Sequence, residues 1–305
     1  MTDTAGFRPR RSVLYMPSSN ERALEKAKTL SVDALILDLE DAVAPDAKDQ
    51  ARLNAAAAVA SGEYGAKELT IRVNGADTEW HQADLAAAAA AGPDAIVVPK
   101  VNSADEVLSL VASIQAAGAP QTTKLWAMIE SPYAILHAEE IAAASDRLTV
   151  LVLGVNDLVK ELFVEHVPGR TNVVTSLQLA VLAARATGKV ILDGVFNNVK
   201  DSDGYLAEVA QGRDFGFDGK TIIHPSQIDG ANAGFAPSPE AVEQAHGLIE
   251  AWESRTSGVV TYNGRMVESL HVESARRTLA IAESIAALNA AVSNAAASNA
   301  AASNS

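Results

Sequence analysis

The chain has 305 residues, no cysteine and a formal net charge of −14, from 24 Lys+Arg against 38 Asp+Glu. The charge excludes a broad nucleic-acid binder or a partner for anionic membrane, since both need a basic surface. The lack of cysteine excludes disulfides, thiolate metal sites, Fe–S clusters and cysteine nucleophiles. No stretch approaches the roughly 18 consecutive apolar residues of a membrane span. The polar N-terminus, with Arg8, Arg10 and Arg11, has no apolar run behind it of signal-peptide type. A soluble, cytoplasmic protein is expected, and so acidic a chain binds an anionic ligand only through locally placed cations or a metal.

Eight short apolar runs are predicted as strands: Ser12–Met16, Ala34–Leu39, Leu69–Val73, Ala95–Pro99, Leu125–Ile129, Leu148–Leu153, Lys189–Leu192 and Thr221–Ile223. They are continuous rather than alternating, as strands covered on both faces should be. Between them lie helical stretches at Glu21–Lys28, Lys48–Ala60, Trp80–Ala91, Ser103–Ala116, Ala134–Ala144, Thr175–Ala186 and Asp201–Phe215. Eight β/α alternations predict an α/β fold, a (β/α)8 TIM barrel over residues 1–236. The rival is a doubly wound sheet, but no G-x-G-x-x-G follows a strand and there is no G-x-x-x-x-G-K-[ST] loop.

Beyond the barrel a helix is expected over Pro237–Ser254, with Ser238 as N-cap and Pro239 in its first turn. A hairpin turning at Asn263-Gly264 follows, from Val259 to Val267. A last helix then spans Ser269 to Ala291. Residues 237–291 read as a C-terminal helical arm or lid, and 292–305, an SNAAA repeat, as a low-complexity tail that ends the helix in frayed or disordered form.

Chemistry in such barrels sits at the C-terminal strand ends. There the chain carries Asp38, Glu40 and Asp41, then Arg72 and Asn74, Lys100, Glu130, Asn156 and Asp157, Asp193 and His224. Glu130 and Asp157 close consecutive runs, and oxygen ligands of this kind suit Mg2+; the alternative is that each caps its own helix. Asp38, Glu40 and Asp41 are either carboxylates that hold metal-bound water or a solvated acidic turn. Arg72, a charge inside an apolar strand, needs a carboxylate partner: a substrate, or the Asp38–Asp41 cluster. Lys100 has the same ambiguity. His224 reads as a turn histidine, and without a G-x-S-x-G elbow a serine hydrolase of the α/β type has no support.

The segments RSVLYMPSSNERALEKA, DALILDLEDAVAPDAK, IRVNG, IVVPKV, WAMIESPYAI, LGVNDL, DGKTIIHPSQI and YNGRMVE resemble the citrate lyase β-subunit-like family. That family includes malyl-CoA lyases and malyl-CoA thioesterases and lies within the HpcH/HpaI aldolase superfamily. The resemblance covers about Arg11 to Ala287. It implies a (β/α)8 barrel, a homo-oligomer (trimer or hexamer), an acyl-CoA thioester substrate and Mg2+, with Mn2+ admissible at an oxygen-only site. Matched to the family's motifs, Glu130 and Asp157 are metal ligands, and Arg72 holds the substrate carboxylate or thioester oxygen. Ser19, Arg22 and Lys26 meet the CoA phosphates, with Pro225 also in the CoA-binding set; Glu40 and Asp41 join the catalytic group. Family members often carry Gly and Pro where this chain has Ser18 and Glu21.

In malyl-CoA lyases the acid that protonates the acetyl-CoA enolate is an aspartate of the C-terminal arm, donated across a subunit boundary; here the matching residue is Glu268. One extra methylene displaces that carboxylate, and a misplacement of about 1 Å can cost on the order of a hundredfold in rate. The leading expectation is a Mg2+-dependent lyase that cleaves malyl-CoA-like thioesters to glyoxylate and acetyl-CoA. The alternative is a (3S)-malyl-CoA thioesterase using the same metal site, and a third is a non-catalytic subunit of a lyase complex.

Overall fold

The structure, a computed structural model, describes residues 8–255 and 260–302, with side-chain detail to residue 292. The chain divides into two compact units, Arg10–Gly234 and a second made of the chain from Phe235 onward together with the N-terminal residues.

In the first unit eight parallel strands close into a barrel in sequence order. They are β1 Ser12–Pro17, β2 Ala34–Asp38, β3 Glu68–Arg72, β4 Ala95–Val98, β5 Lys124–Ile129, β6 Leu148–Leu153, β7 Val190–Asp193 and β8 Gly219–Ile222. Helices fill the crossovers, as parallel neighbours require. The barrel interior is packed, not hollow: Val13, Ala34, Ile36, Ala95, Val97, Trp126, Met128, Val150, Val152 and Leu192 form one buried cluster. Trp126, fully buried, fills the interior, and the Arg10 guanidinium lies 5.4 Å from the centre of its ring. Arg10 in turn is held by Glu68 at 2.6 and 2.7 Å.

The expected helices form, with local departures. Lys48–Ser61 and Val174–Thr187 stop on left-handed glycines, Gly62 (φ 66°) and Gly188 (φ 68°), which end a helix without a Cβ clash. The stretch expected as one helix over 134–144 is two, Pro132–Leu136 and Ala138–Ala143, broken where His137 leaves helical geometry at φ −112°. Two short helices had no sequence signal, Val155–Glu161 and Ile228–Gly234. Among the described residues no helix is long and apolar enough to cross a membrane.

In the second unit, helix Pro239–Glu253 is capped by Ser238, whose side chain accepts from the Ala241 amide at 3.1 Å. A two-stranded hairpin, β9 Val260–Tyr262 and β10 Arg265–Val267, turns at Asn263 (φ 48°) and Gly264 (φ 74°). Two successive left-handed residues are what a tight hairpin demands, and Asn-Gly supplies them. Val259, expected to begin the hairpin, lies outside the described residues. Val260, Val267 and Val272 form this unit's small core with Leu248, Ile249, Trp252 and Tyr262. The last helix runs Ser269–Ala302, past the expected end at Ala291 and into the alanine-rich repeat; alanine is the strongest helix former.

Candidate active site

The period of two along each strand decides which side chains enter the barrel. On β5, Trp126 and Met128 point inward, and Glu130, two residues on, continues the row at the C-terminal end. On β2 and β3, Asp38 and Arg72 are register partners in adjacent strands. Arg72 Nε and Nη2 donate to the two Asp38 oxygens at 2.6 and 2.7 Å, and Nη1 meets Glu40 at 2.7 Å. Asp41 stands 3.5 Å from the same nitrogen. The Tyr15 ring lies under the guanidinium, 4.8 Å from its carbon. Arg72 therefore lies among the Asp38–Asp41 carboxylates, one of the two partners its sequence position allowed.

Asp38 also shapes the turn that follows it. Its two oxygens accept from the Glu40 and Ala42 amides, both at 3.0 Å. From below, buried Lys48 donates all three protons of its ammonium, to the Leu39 and Glu40 carbonyls and to Asn74 Oδ1, at 2.7, 2.8 and 2.7 Å. The acidic turn is thus held from both sides, not left to solvent. Glu40 is buried and Asp41 exposed. Burial pushes the Glu40 carboxyl up to about 7, against the pull of Arg72, with Asp41 and Asp38 adding to the rise.

Glu130 is buried at 3% exposure and accepts from the Lys100 amide at 2.7 Å. Burial, then the charges of Glu40 and Asp157, push its pKa up to about 8. It does not cap the helix after it; Ser131 does, accepting from the Ala134 amide at 3.0 Å. Asp157, half-buried, lies in the first turn of Val155–Glu161, whose N-cap position is Gly154. That turn brings it to the same cavity of about 290 Å3 as Glu130, Asp38, Asp41 and Arg72, with Tyr15, Met128 and Thr221. Glycine at 154 is a spatial requirement, because an added Cβ would collide with the Glu130 side chain.

This oxygen-only pair fits Mg2+. Glu130 is a buried carboxylate with carboxylate neighbours, an arrangement that a cation relieves. Among the described residues no three His, Asp or Glu side chains form a ready-made cage, and Mg2+ commonly takes one or two carboxylates and fills its other positions with water and substrate oxygens.

Ser19, Arg22 and Lys26 are exposed on the loop and short helix after β1, the helix Glu21–Ala27 being capped by Asn20. Pro225 opens a short 3-10 turn capped by His224, whose Nδ1 lies 2.8 Å from Ser226 Oγ. None of these lines the cavity that holds Glu130 and Asp157. Glu268 is exposed in the second unit; its amide donates to His271 Nδ1 at 3.0 Å. Tyr15, Gly154, Met128 and Thr221 went unremarked in the sequence. Tyr15 and Met128 could have been found by counting in steps of two from Val13 and Glu130.

A family model described as HpcH/HpaI aldolase/citrate lyase matches residues 11–225. A (3S)-malyl-CoA thioesterase of Cereibacter sphaeroides is 49% identical over 285 residues, 92% of this chain and 98% of that protein. The citrate lyase subunit beta of Haemophilus influenzae is 38% identical over 283 residues, 90% and 97% of the two chains. Among solved structures, CitE from Mycobacterium tuberculosis in complex with magnesium, acetoacetate and coenzyme A matches with a TM-score of 0.73 at 29% identity, over 89% of this chain and 97% of that one. The eight-stranded barrel, the motifs at its strand ends and these matches together make the chain a member of the HpcH/HpaI aldolase/citrate lyase family.

Proposed function

We propose that the protein hydrolyses the thioester of (3S)-malyl-CoA or a close relative to malate and free CoA, with Mg2+ held by Glu130 and Asp157. The observation that carries this reading is the near full-length, 49% identity to a protein named (3S)-malyl-CoA thioesterase, against 38% for a citrate lyase subunit. It reverses the order expected from sequence, in which carbon–carbon cleavage led.

When bound, Mg2+ supplies Lewis-acid polarisation of substrate oxygens, and Mn2+ suits the same donors. Glu40, with a pKa of about 7, is the base: at neutral pH a large fraction is ionised and can take a proton from water. The water oxygen then bonds to the thioester carbon and the carbon–sulfur bond breaks. The proton passes from Glu40 to the sulfur, leaving malate and CoA. Arg72, anchored on Asp38, holds Glu40 through Nη1 and places positive charge where the thioester oxygen becomes negative. Asp41, exposed beside them, orients water. Ser19, Arg22, Lys26 and Pro225 are assigned to the CoA moiety. Glu268 is assigned to the acyl end from its own or a neighbouring subunit of a homotrimer or hexamer, a state that light scattering would read.

Purified protein, malyl-CoA and Mg2+ should yield malate and CoA. Glyoxylate with acetyl-CoA would instead establish the lyase, the second reading, which the citrate lyase relative favours. Glu268→Asp should move products toward glyoxylate; unchanged partitioning removes Glu268 from the mechanism.

A further inference from the structure

The acyl group of the proposed substrate ends in a free carboxylate, and the cavity that would receive it is lined by Asp38, Asp41, Glu130 and Asp157. Like charges repel, so binding needs a cation with donors to spare. Arg72 is heavily committed: Nε and Nη2 serve Asp38, and Nη1 serves Glu40.

Lys100 is placed differently. It lies two residues past the end of β4 and has a left-handed backbone, φ 55°. An L-residue there is strained where glycine would not be, and such strain persists only where the surroundings enforce it. Here they do. The Lys100 amide donates to Glu130 Oε1 at 2.7 Å, and its carbonyl accepts from Asn102 Nδ2 at 2.8 Å. Asn102 Oδ1 in turn accepts from the Ser131 hydroxyl. The side chain is exposed, and among the described residues its ammonium makes no ion pair. A glycine would satisfy the backbone at lower strain; the lysine adds an exposed cationic side chain to the residue whose amide holds Glu130.

We propose that Lys100 binds the free carboxylate of the acyl group, and so selects dicarboxylic acyl-CoA over its neutral counterparts. This rests on the malyl-type substrate proposed above. The acyl carboxylate is favoured over a CoA phosphate because the Lys100 backbone amide bonds Glu130, whereas Ser19, Arg22 and Lys26 follow β1, three strands away round the barrel.

The test is calorimetric and needs no turnover. Wild type, Lys100→Met, Lys100→Arg and Lys100→Gly, each with Mg2+, are titrated with two thioether analogues. One is S-(3-carboxy-3-hydroxypropyl)-CoA; the other, S-(3-hydroxybutyl)-CoA, replaces the carboxylate by methyl. Lys100→Met should weaken the first by about 10- to 100-fold, the worth of one charge-assisted contact, with far less effect on the second. Lys100→Arg should restore most of the loss. Lys100→Gly keeps the amide that serves Glu130 and suits the backbone, so it should melt at a higher temperature than wild type yet bind as poorly as Lys100→Met. The proposal is overturned if Lys100→Met weakens both ligands alike or neither, or if wild type shows no preference for the carboxylate. Failure of the hydrolase reading shows separately, as the absence of malate from malyl-CoA.

Discussion

Replacing Gly154 by alanine tests whether the site depends on Glu130 packing against bare backbone. The backbone conformation, φ −91°, is open to alanine, and the Gly154 amide keeps its bond to the Ile129 carbonyl at 3.1 Å. Space is the obstacle. The new Cβ would fall 3.0 Å from Glu130 Cδ and closer still to its Cβ and Oε2. Carbon contacts relax to about 3.5–4.0 Å, so Glu130 must retreat by roughly 0.5–1 Å or more. Its 2.7 Å bond from the Lys100 amide would then stretch or break. Overpacking of this kind costs about 1–3 kcal/mol in stability, and a 1 Å displacement of a group at the reaction centre costs on the order of a hundredfold in rate. Malyl-CoA hydrolysis followed against Mg2+ concentration should show kcat about a hundredfold lower and half-saturation at higher Mg2+, with a lower melting temperature. A folded variant with wild-type kcat and Mg2+ dependence would refute the reasoning.

The pH profile carries the next prediction. The ionised form of Glu40 is the base and its pKa is about 7, so kcat/KM should rise with pH and level off above about 7. Glu40→Gln should abolish that limb and lower the rate by about 10²–10⁴; an unchanged profile excludes Glu40 as the base. Treatment with EDTA should stop hydrolysis, with Mg2+ or Mn2+ restoring it, and Glu130→Gln or Asp157→Asn should remove the rise in melting temperature that added Mg2+ produces. Stability rests partly on Lys220, fully buried and bonded to Asp193 at 2.9 Å, Glu208 at 2.7 Å and the Gly194 carbonyl. Lys220→Met leaves two acids with Arg170 as their only close cation among the described residues and should cost about 3–5 kcal/mol in denaturant unfolding; a loss below about 1 kcal/mol would show that the network is not stabilising.

The barrel strands were legible because each is buried on both faces and so written as an unbroken apolar run; Leu148–Leu153 coincides with its expected span, and the others differ by a residue or two at an end. Helix Val155–Glu161 was not legible, since it is seven residues long and has no side-chain cap at Gly154, yet it is what carries Asp157 to the cavity. The sequence sets three carboxylates, Asp38, Glu40 and Asp41, within four residues at the end of β2. In the fold they differ sharply: Asp38 is spent on Arg72 and on two amides of its own turn, Glu40 is buried with a raised pKa, and Asp41 is exposed. Burial and partners set these differences, and neither is a property of residue type.

By itself, the sequence determined the alternation of eight strands with helices, the Asn-Gly hairpin and the acidic residues that gather where strands end, because these follow from local periodicity and turn chemistry. Tertiary structure alone decided that Asp38 and Arg72 meet as register partners, that Gly154 makes room for Glu130, and that Lys100 is held in a left-handed turn against it. Those pairings join residues 24 to 34 positions apart on neighbouring strands and loops, and only closure of the barrel brings them within contact.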